Sequence, residues 1–308
     1  MLCTVYLLTC VMRCSGPDYW RKRMPTDKDK RRVPILNTYI DALTMDETIS
    51  EVEKIIARGV PTQHVVINAN KVNLMNEDPE LKRIVNECPL INADGISILW
   101  AAKVLGVPIK DRVTGIDLFL NLVELASRKG YKIYLFGAKE EVVRKVKKVF
   151  EEEYPTLQIV GYRNGYFTEE DEPEIVKNMA ESGADMMFVA FSSPKKEYWI
   201  NKYIDQLNIP FVMGVGGSFD VVAGVTERAP KWVQIRGFEW LYRLVQEPRR
   251  MWRRYVIGNA QFIGYTVKTK LEHKTSDDDT APVGKKAGKK RQGRSSGSRN
   301  GTRISTRK

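Results

Sequence analysis

The chain has 308 residues, a formal net charge of +12, and 43% hydrophobic against 29% charged residues. This suits one large water-soluble domain or two small ones, and no apolar run approaches the ~18 residues of a membrane span. Four cysteines (Cys3, Cys10, Cys14, Cys88) without a CxxC pair, and only His64 and His273 beside them, argue against a zinc site, Cys/His catalysis or a disulfide framework.

The charge is uneven. Lys274–Lys308 carries eleven Lys/Arg against three Asp and almost no large apolar side chain, so residues 274–308 are expected to form a disordered basic tail. Such a tail suits nucleic acid, anionic lipid or plain solvent. At the other end, Leu2–Met12 is apolar and Arg21–Arg32 basic. A secretory signal places its charge before the apolar run, so residues 1–32 read as an unstructured extension.

The ordered region begins near Val33. Asp46–Arg58 has helical spacing, with Ile49, Val52, Ile55 and Ile56 on one face. Gln63–Ala69 reads as a buried strand, Pro79–Asn86 as a short helix and Leu90–Asn92 as a short strand. Gly95–Leu105 and Gly115–Arg128 read as helices. Strands at Lys132–Phe136, Leu157–Gly161, Ala184–Phe191 and Pro210–Gly214 then alternate with helices at Glu140–Phe150, Glu172–Glu181 and Pro194–Gln206. That rhythm predicts an α/β fold, a Rossmann-like parallel sheet with helices on both faces, over residues 33–235. Ligands of such sheets sit beyond the carboxyl ends of the strands. Those ends carry Asn68, Asn70, Asp94, Gly137, Gly161, Ser192, Ser193 and Gly214–Asp220.

Residues 236–273 differ. Trp240, Tyr242, Arg243, Arg249, Arg250, Trp252, Arg253, Arg254 and Tyr255 interleave cations with aromatics. Pro248 should open a new helix. The pattern fits a basic amphipathic appendage at a membrane surface, a phosphate-binding lid, or a helix packed on the core.

Individual motifs leave choices open. Asp94, in Asn92-Ala-Asp-Gly95, could accept a proton from a substrate hydroxyl or cap the helix that follows. Gly214-Val-Gly-Gly-Ser-Phe-Asp220 is an incomplete dinucleotide fingerprint. Its Gly214, Gly216 and Gly217 would let a phosphate approach the backbone, while Asp220 could bond a ribose or base, or cap a helix. Arg112 could hold a phosphate or a loop carboxylate, with Asp117 capping or orienting it. Asp-x-Asp pairs occur only at Asp27/Asp29 and within Asp277–Asp279, outside the expected core. A diphosphate leaving group would then rely on arginines or a helix terminus, and no metal or other cofactor is expected.

Together, NADGISILWAAKVLG, RVTGIDLF, YLFGAK, SSPKKEYW, GVGGSFDVVAG and the arginine-rich end resemble the WecG/TagA/CpsF family of glycosyltransferases, in order over roughly Val33–Ile263. The resemblance implies inverting, metal-independent transfer from a UDP-sugar to a polyprenyl-diphosphate-linked glycan, in cell-surface polysaccharide or teichoic-acid-type synthesis. It implies Asp94 as general base. Asn68, Asn70, Arg112, Gly137, Lys196 and the Gly214–Asp220 loop would bind substrate, and Arg243, Arg250 and Arg253 the diphosphates. It implies a cytoplasmic protein on the inner face of the membrane, with no specific nucleic-acid partner, and allows a homo-oligomer. Two positions depart from the family's pattern: some members have Thr at Asn68, and many have Gln at Lys196. The donor sugar is thus left open. The rival readings are a NAD-dependent oxidoreductase, disfavoured by the incomplete fingerprint, and a nucleic-acid-binding protein led by the tail.

Overall fold

The computed structural model describes residues 31–279; most of the expected N-terminal extension (1–32) and of the expected basic tail (274–308) lies outside the described residues, whereas Arg32 already belongs to the first strand and residues 274–279 continue the last helix. An antiparallel hairpin, β1 (Arg32–Ile35) and β2 (Thr38–Asp41), opens the fold. Asp41 anchors it: its carboxylate accepts two hydrogen bonds from Arg32 (3.1 and 2.8 Å) and one from the Ile91 amide.

The main sheet has six parallel strands: β3 (Thr62–Ile67), β4 (Leu90–Ala93), β5 (Lys132–Gly137), β6 (Gln158–Arg163), β7 (Met186–Ala190) and β8 (Phe211–Gly214). Their spatial order is β4-β3-β8-β7-β5-β6. Helices connect them: α1 (Met45–Arg58), α2 (Ala69–Glu77), α3 (Pro79–Glu87), α4 (Ile96–Leu105), α5 (Gly115–Lys129), α6 (Glu140–Glu153), α7 (Glu172–Glu181) and α8 (Lys195–Leu207). The expected Rossmann-like core is therefore present. The two-residue alternation of the strands divides its packing. Ile133 and Leu135 of β5 face Phe119, Leu122, Val143 and Phe150 of α5 and α6, whereas Tyr134 and Phe136 face Ile175, Trp199 and Ile204 of α7 and α8. Around β3 and β4, Val65, Ile67, Ile91 and Ala93 pack with Val72, Leu81 and Ile98 of α2, α3 and α4.

Local chemistry sets the ends of these elements. Thr44 and Glu47 form a reciprocal capping box at the start of α1, and Gly59 ends it in the left-handed conformation. The hairpin and α2 were not foreseen from sequence. The hairpin is short and tied down by one aspartate, while α2 has few apolar positions and follows β3 through the Asn68 cap.

Beyond β8 the chain forms α9 (Ser218–Val222), α10 (Lys231–Ile235), α11 (Glu239–Gln246), α12 (Pro248–Trp252), a π-helical turn (Arg253–Ile257) and α13 (Gly258–Asp279). Pro248 stands in the first turn of α12, as expected. Phe262 of α13 is fully buried against the β3/β4 side, and Asn73 donates to the Gly258 carbonyl at 2.7 Å. The compact unit extends to Leu271. No helix among the described residues is long and apolar enough to cross a membrane.

Under the sheet edge lies a buried polar network. The Asn92 amide donates to Thr48 Oγ1 at 3.1 Å, so its Oδ1 accepts from His64 Nε2 at 2.9 Å. Burial, opposed by that hydrogen bond and reinforced by nearby Lys71, brings the His64 pKa down to about 4. The unfolded chain takes up this proton near 6.5 and the native state only near 4, so stability falls as pH drops through that window. The contribution is about 1.4 kcal/mol per pH unit. We expect His64→Gln to flatten the pH dependence of the urea midpoint between these values. Parallel curves for the two proteins would contradict the assignment.

Candidate active site

Because the six strands run the same way, the segments after β3, β4, β5, β7 and β8 emerge at one edge of the sheet. Asp94 follows β4, its amide bonded to the Ile67 carbonyl at 2.7 Å. The helix after it, α4, starts at Gly95 with a backbone φ of +100° and has no side-chain cap. Asp94 is thus not spent as a cap and faces the groups around it. Burial pushes its carboxyl above the ordinary range; Arg112, Lys196, Arg243 and a hydrogen bond from Asn68 pull the other way. Five residues selected from distant parts of the sequence therefore meet here: Asn68, Asp94, Arg112, Lys196 and Arg243.

Asn68 has two duties, since its Oδ1 also accepts from the Lys71 amide and caps α2. Asn70 is half-buried in the first turn of that helix. Lys196 stands in the first turn of α8. Its chain runs beneath the glycine loop, so closely that a Cβ on Gly214 would lie 2.7 Å from it. Its Nζ donates to the Gly214 carbonyl at 3.4 Å. Burial and then Lys71 lower its pKa to about 8, while Glu197 and Asp94 oppose them. Next to it, Lys71 and Glu197 form an ion pair that is almost wholly buried, with Ser193 Oγ donating to the same carboxylate oxygen at 3.1 Å.

In the glycine loop, Gly216 has a φ of +57°, which L side chains rarely adopt, and Gly217 precedes α9. The Asp220 carboxylate folds back toward Gly217, and its carbonyl accepts from the amides of Val225 and Thr226. Gly137 is explained by packing: a Cβ there would lie 2.8 Å from the Ala190 carbonyl of β7.

Arg112 donates to Glu239 Oε2 and to the Gln234 carbonyl, both at 3.4 Å. Thr114 caps α5 by accepting from the Asp117 amide, and the Asp117 carboxylate accepts from Arg228 at 2.5 Å. Burial raises the Glu239 pKa; Arg112 and Arg228 oppose this, and Asp94 and Asp117 add to it. Arg253 is exposed, its guanidinium 5.7 Å from the Trp252 ring centroid. The Arg250 side chain lies outside the described residues. It is Arg254 whose charge reaches Lys196. Sequence reasoning missed Glu239, Arg228, Arg254 and the Lys71–Glu197 pair. Glu239 and Glu247 are the two acidic residues amid the cationic 228–254 stretch, which was the available signal for Glu239.

Such an edge, with a half-buried carboxylate ringed by cations beside a glycine loop, can take a proton from a hydroxyl and bind phosphates. The comparisons agree with that chemistry. A family model described as "Glycosyl transferase WecG/TagA/CpsF family" matches residues 33–276. Two similar proteins come from Bacillus spizizenii (strain ATCC 23059 / NRRL B-14472 / W23) and Bacillus subtilis (strain 168). Each is an N-acetylglucosaminyldiphosphoundecaprenol N-acetyl-beta-D-mannosaminyltransferase, 34% identical over 178 residues that cover 58% of this chain and 68% of the relative. Neither the oxidoreductase nor the nucleic-acid reading finds support in these matches. The chain belongs to the WecG/TagA/CpsF family of glycosyltransferases.

Proposed function

We propose that the protein transfers a sugar, N-acetylmannosamine or a close analogue, from a UDP-sugar to a polyprenyl-diphosphate-linked glycan, with inversion at the anomeric carbon. The observation that carries this reading is the half-buried Asp94 within reach of Arg112, Lys196 and Arg243, in a chain of this family. The relatives' acceptor is a prenyl-diphosphate-linked N-acetylglucosamine.

Asp94 takes the proton of the acceptor hydroxyl as that oxygen attacks the anomeric carbon. The bond from this carbon to the β-phosphate oxygen breaks in the same step, and UDP leaves with the electron pair. One displacement gives inversion. Arg112, Arg243 and the Gly214–Gly217 backbone are suited to neutralise the charge that develops on the diphosphate. Lys196 and Asn68 are suited to hold the donor and Asp94 in register, with Asn70 and Asp220 at the periphery. In this scheme Arg250 and Arg253 meet the acceptor's diphosphate at the membrane.

A membrane-surface role for residues 236–271 is supported by exposed Leu241, Val245, Trp252, Val256, Ile263 and Leu271 beside exposed arginines. The segment is not a detachable lid throughout, because truncation after Gly237 would remove the buried Phe262 from the core. We place the protein at the inner face of the membrane, bound to its surface.

We expect Asp94→Asn to retain UDP affinity but to transfer sugar more slowly by roughly 10²–10⁴-fold, the range for loss of a general base. A product assay by mass, with a short-chain prenyl-diphosphate glycan as acceptor, measures this; a rate within a few-fold of wild type would remove Asp94 from the chemistry. The same assay run in EDTA tests the arginine-based leaving-group account. Undiminished turnover is expected, and activity lost to EDTA and restored by Mg²⁺ or Mn²⁺ would overturn it.

A further inference from the structure

Arg112 has two outer partners, and both belong to the C-terminal segment: Glu239, the first residue of α11, and the Gln234 carbonyl of α10, each at 3.4 Å. These are long contacts for charge-assisted hydrogen bonds, which settle nearer 2.7–2.9 Å. Arg112 and Glu239 each keep part of their side chain exposed, 20% and 27%. Arg112 is also the arginine assigned above to the donor's diphosphate. One guanidinium thus has two anionic claimants, one of them carried by the protein itself.

We propose that Glu239 competes with the donor diphosphate for Arg112, so that nucleotide binding releases the α10–α11 segment from this anchor. The inference rests on the reading of Arg112 as a diphosphate ligand. The charges favour Glu239 as the group that yields. Glu239 lies within electrostatic reach of Arg112, Arg228, Asp94 and Asp117, and a diphosphate brought among the three carboxylates is repelled by each. The Asp117 carboxylate accepts from Arg228 at 2.5 Å and from the Thr114 hydroxyl, and Asp94 has to stay charged to act as base. Glu239 has the loosest hold. Burial and its two acidic neighbours also favour its neutral form, against the pull of Arg112 and Arg228. Arg243 lies one helical turn along α11 and within reach of Asp94. Freeing Glu239 would therefore leave α11 able to readjust Arg243 as the lipid-linked acceptor arrives.

The test is calorimetric titration of UDP into the full-length chain as wild type, Glu239→Gln, Arg112→Ala and the double variant. Competition predicts that Glu239→Gln tightens UDP binding by roughly two- to fivefold, the scale of a partly exposed charge pair. Arg112→Ala should weaken binding, and Glu239→Gln should add nothing in that background. Unchanged or weaker binding by Glu239→Gln, with Arg112→Ala weakened, overturns the competition while leaving Arg112 as a ligand. Tightening that persists without Arg112 also overturns it. If Arg112→Ala binds UDP as wild type does, the underlying assignment fails and the proposal with it. A second measurement needs no variant. UDP should speed limited tryptic cleavage of the wild-type chain at the exposed Arg236 between α10 and α11; slowed or unaltered cleavage there contradicts the release.

Discussion

A carboxylate that must act as a base while partly removed from water needs cations nearby, and those cations must in turn be prevented from binding it too tightly. The site around Asp94 is arranged around that constraint. Burial raises its pKa, and Arg112, Lys196 and Arg243 restrain the rise. Two of these cations, Arg112 and Lys196, have a second anchor or antagonist. Arg112 contacts Glu239, and Lys196 is drawn to the Gly214 carbonyl and to Glu197 while Lys71 repels it. The buried Lys71–Glu197 pair fixes α2 to α8 directly below. Breaking one partner of such a pair is costly because the other charge is left buried. The pair thus ties two helices together beneath an edge crowded with ionisable groups.

The parallel sheet supplies the geometry. Consecutive strands return through helices, so chain segments from Asn68 to Gly217 reach one edge despite their separation in sequence. The C-terminal segment closes the set. It is anchored by Phe262 in the β3/β4 core and by the contacts of Arg112 and Arg228, while its outward face keeps apolar and cationic side chains in solvent. The same stretch thus belongs to the fold on one side and, in the proposed mechanism, to the membrane and the acceptor on the other.

Much of this was legible before the structure. Continuous apolar strands at regular spacing betray a parallel sheet, and glycines and aspartates at strand ends mark its ligand-binding edge. Asp94 and the glycine loop could be chosen on that basis, and Lys196 and Arg243 through family resemblance. Gly137 was legible as special, and its lack of a Cβ serves close packing on β7. The hairpin depended on the Asp41 bonds to Arg32 and Ile91, and α2 on an asparagine cap, both tertiary or local polar effects that periodicity does not carry. Glu239 and Lys71 were invisible for a similar reason: a charged residue on a helix reads as solvated until its partner, more than a hundred residues away, is brought beside it.

The proposed transfer depends on Asp94 titrating as the base under the influence of the surrounding cations. The pH dependence of kcat/KM for sugar transfer, compared between wild type and Arg243→Gln, tests this most directly. Removing a cation that lowers the Asp94 pKa should move the acidic limb of the profile to higher pH, because a greater part of the carboxylate is protonated at any given pH. A variant with reduced activity but an acidic limb in the wild-type position would show that Asp94 and Arg243 are not coupled, and would contradict the account.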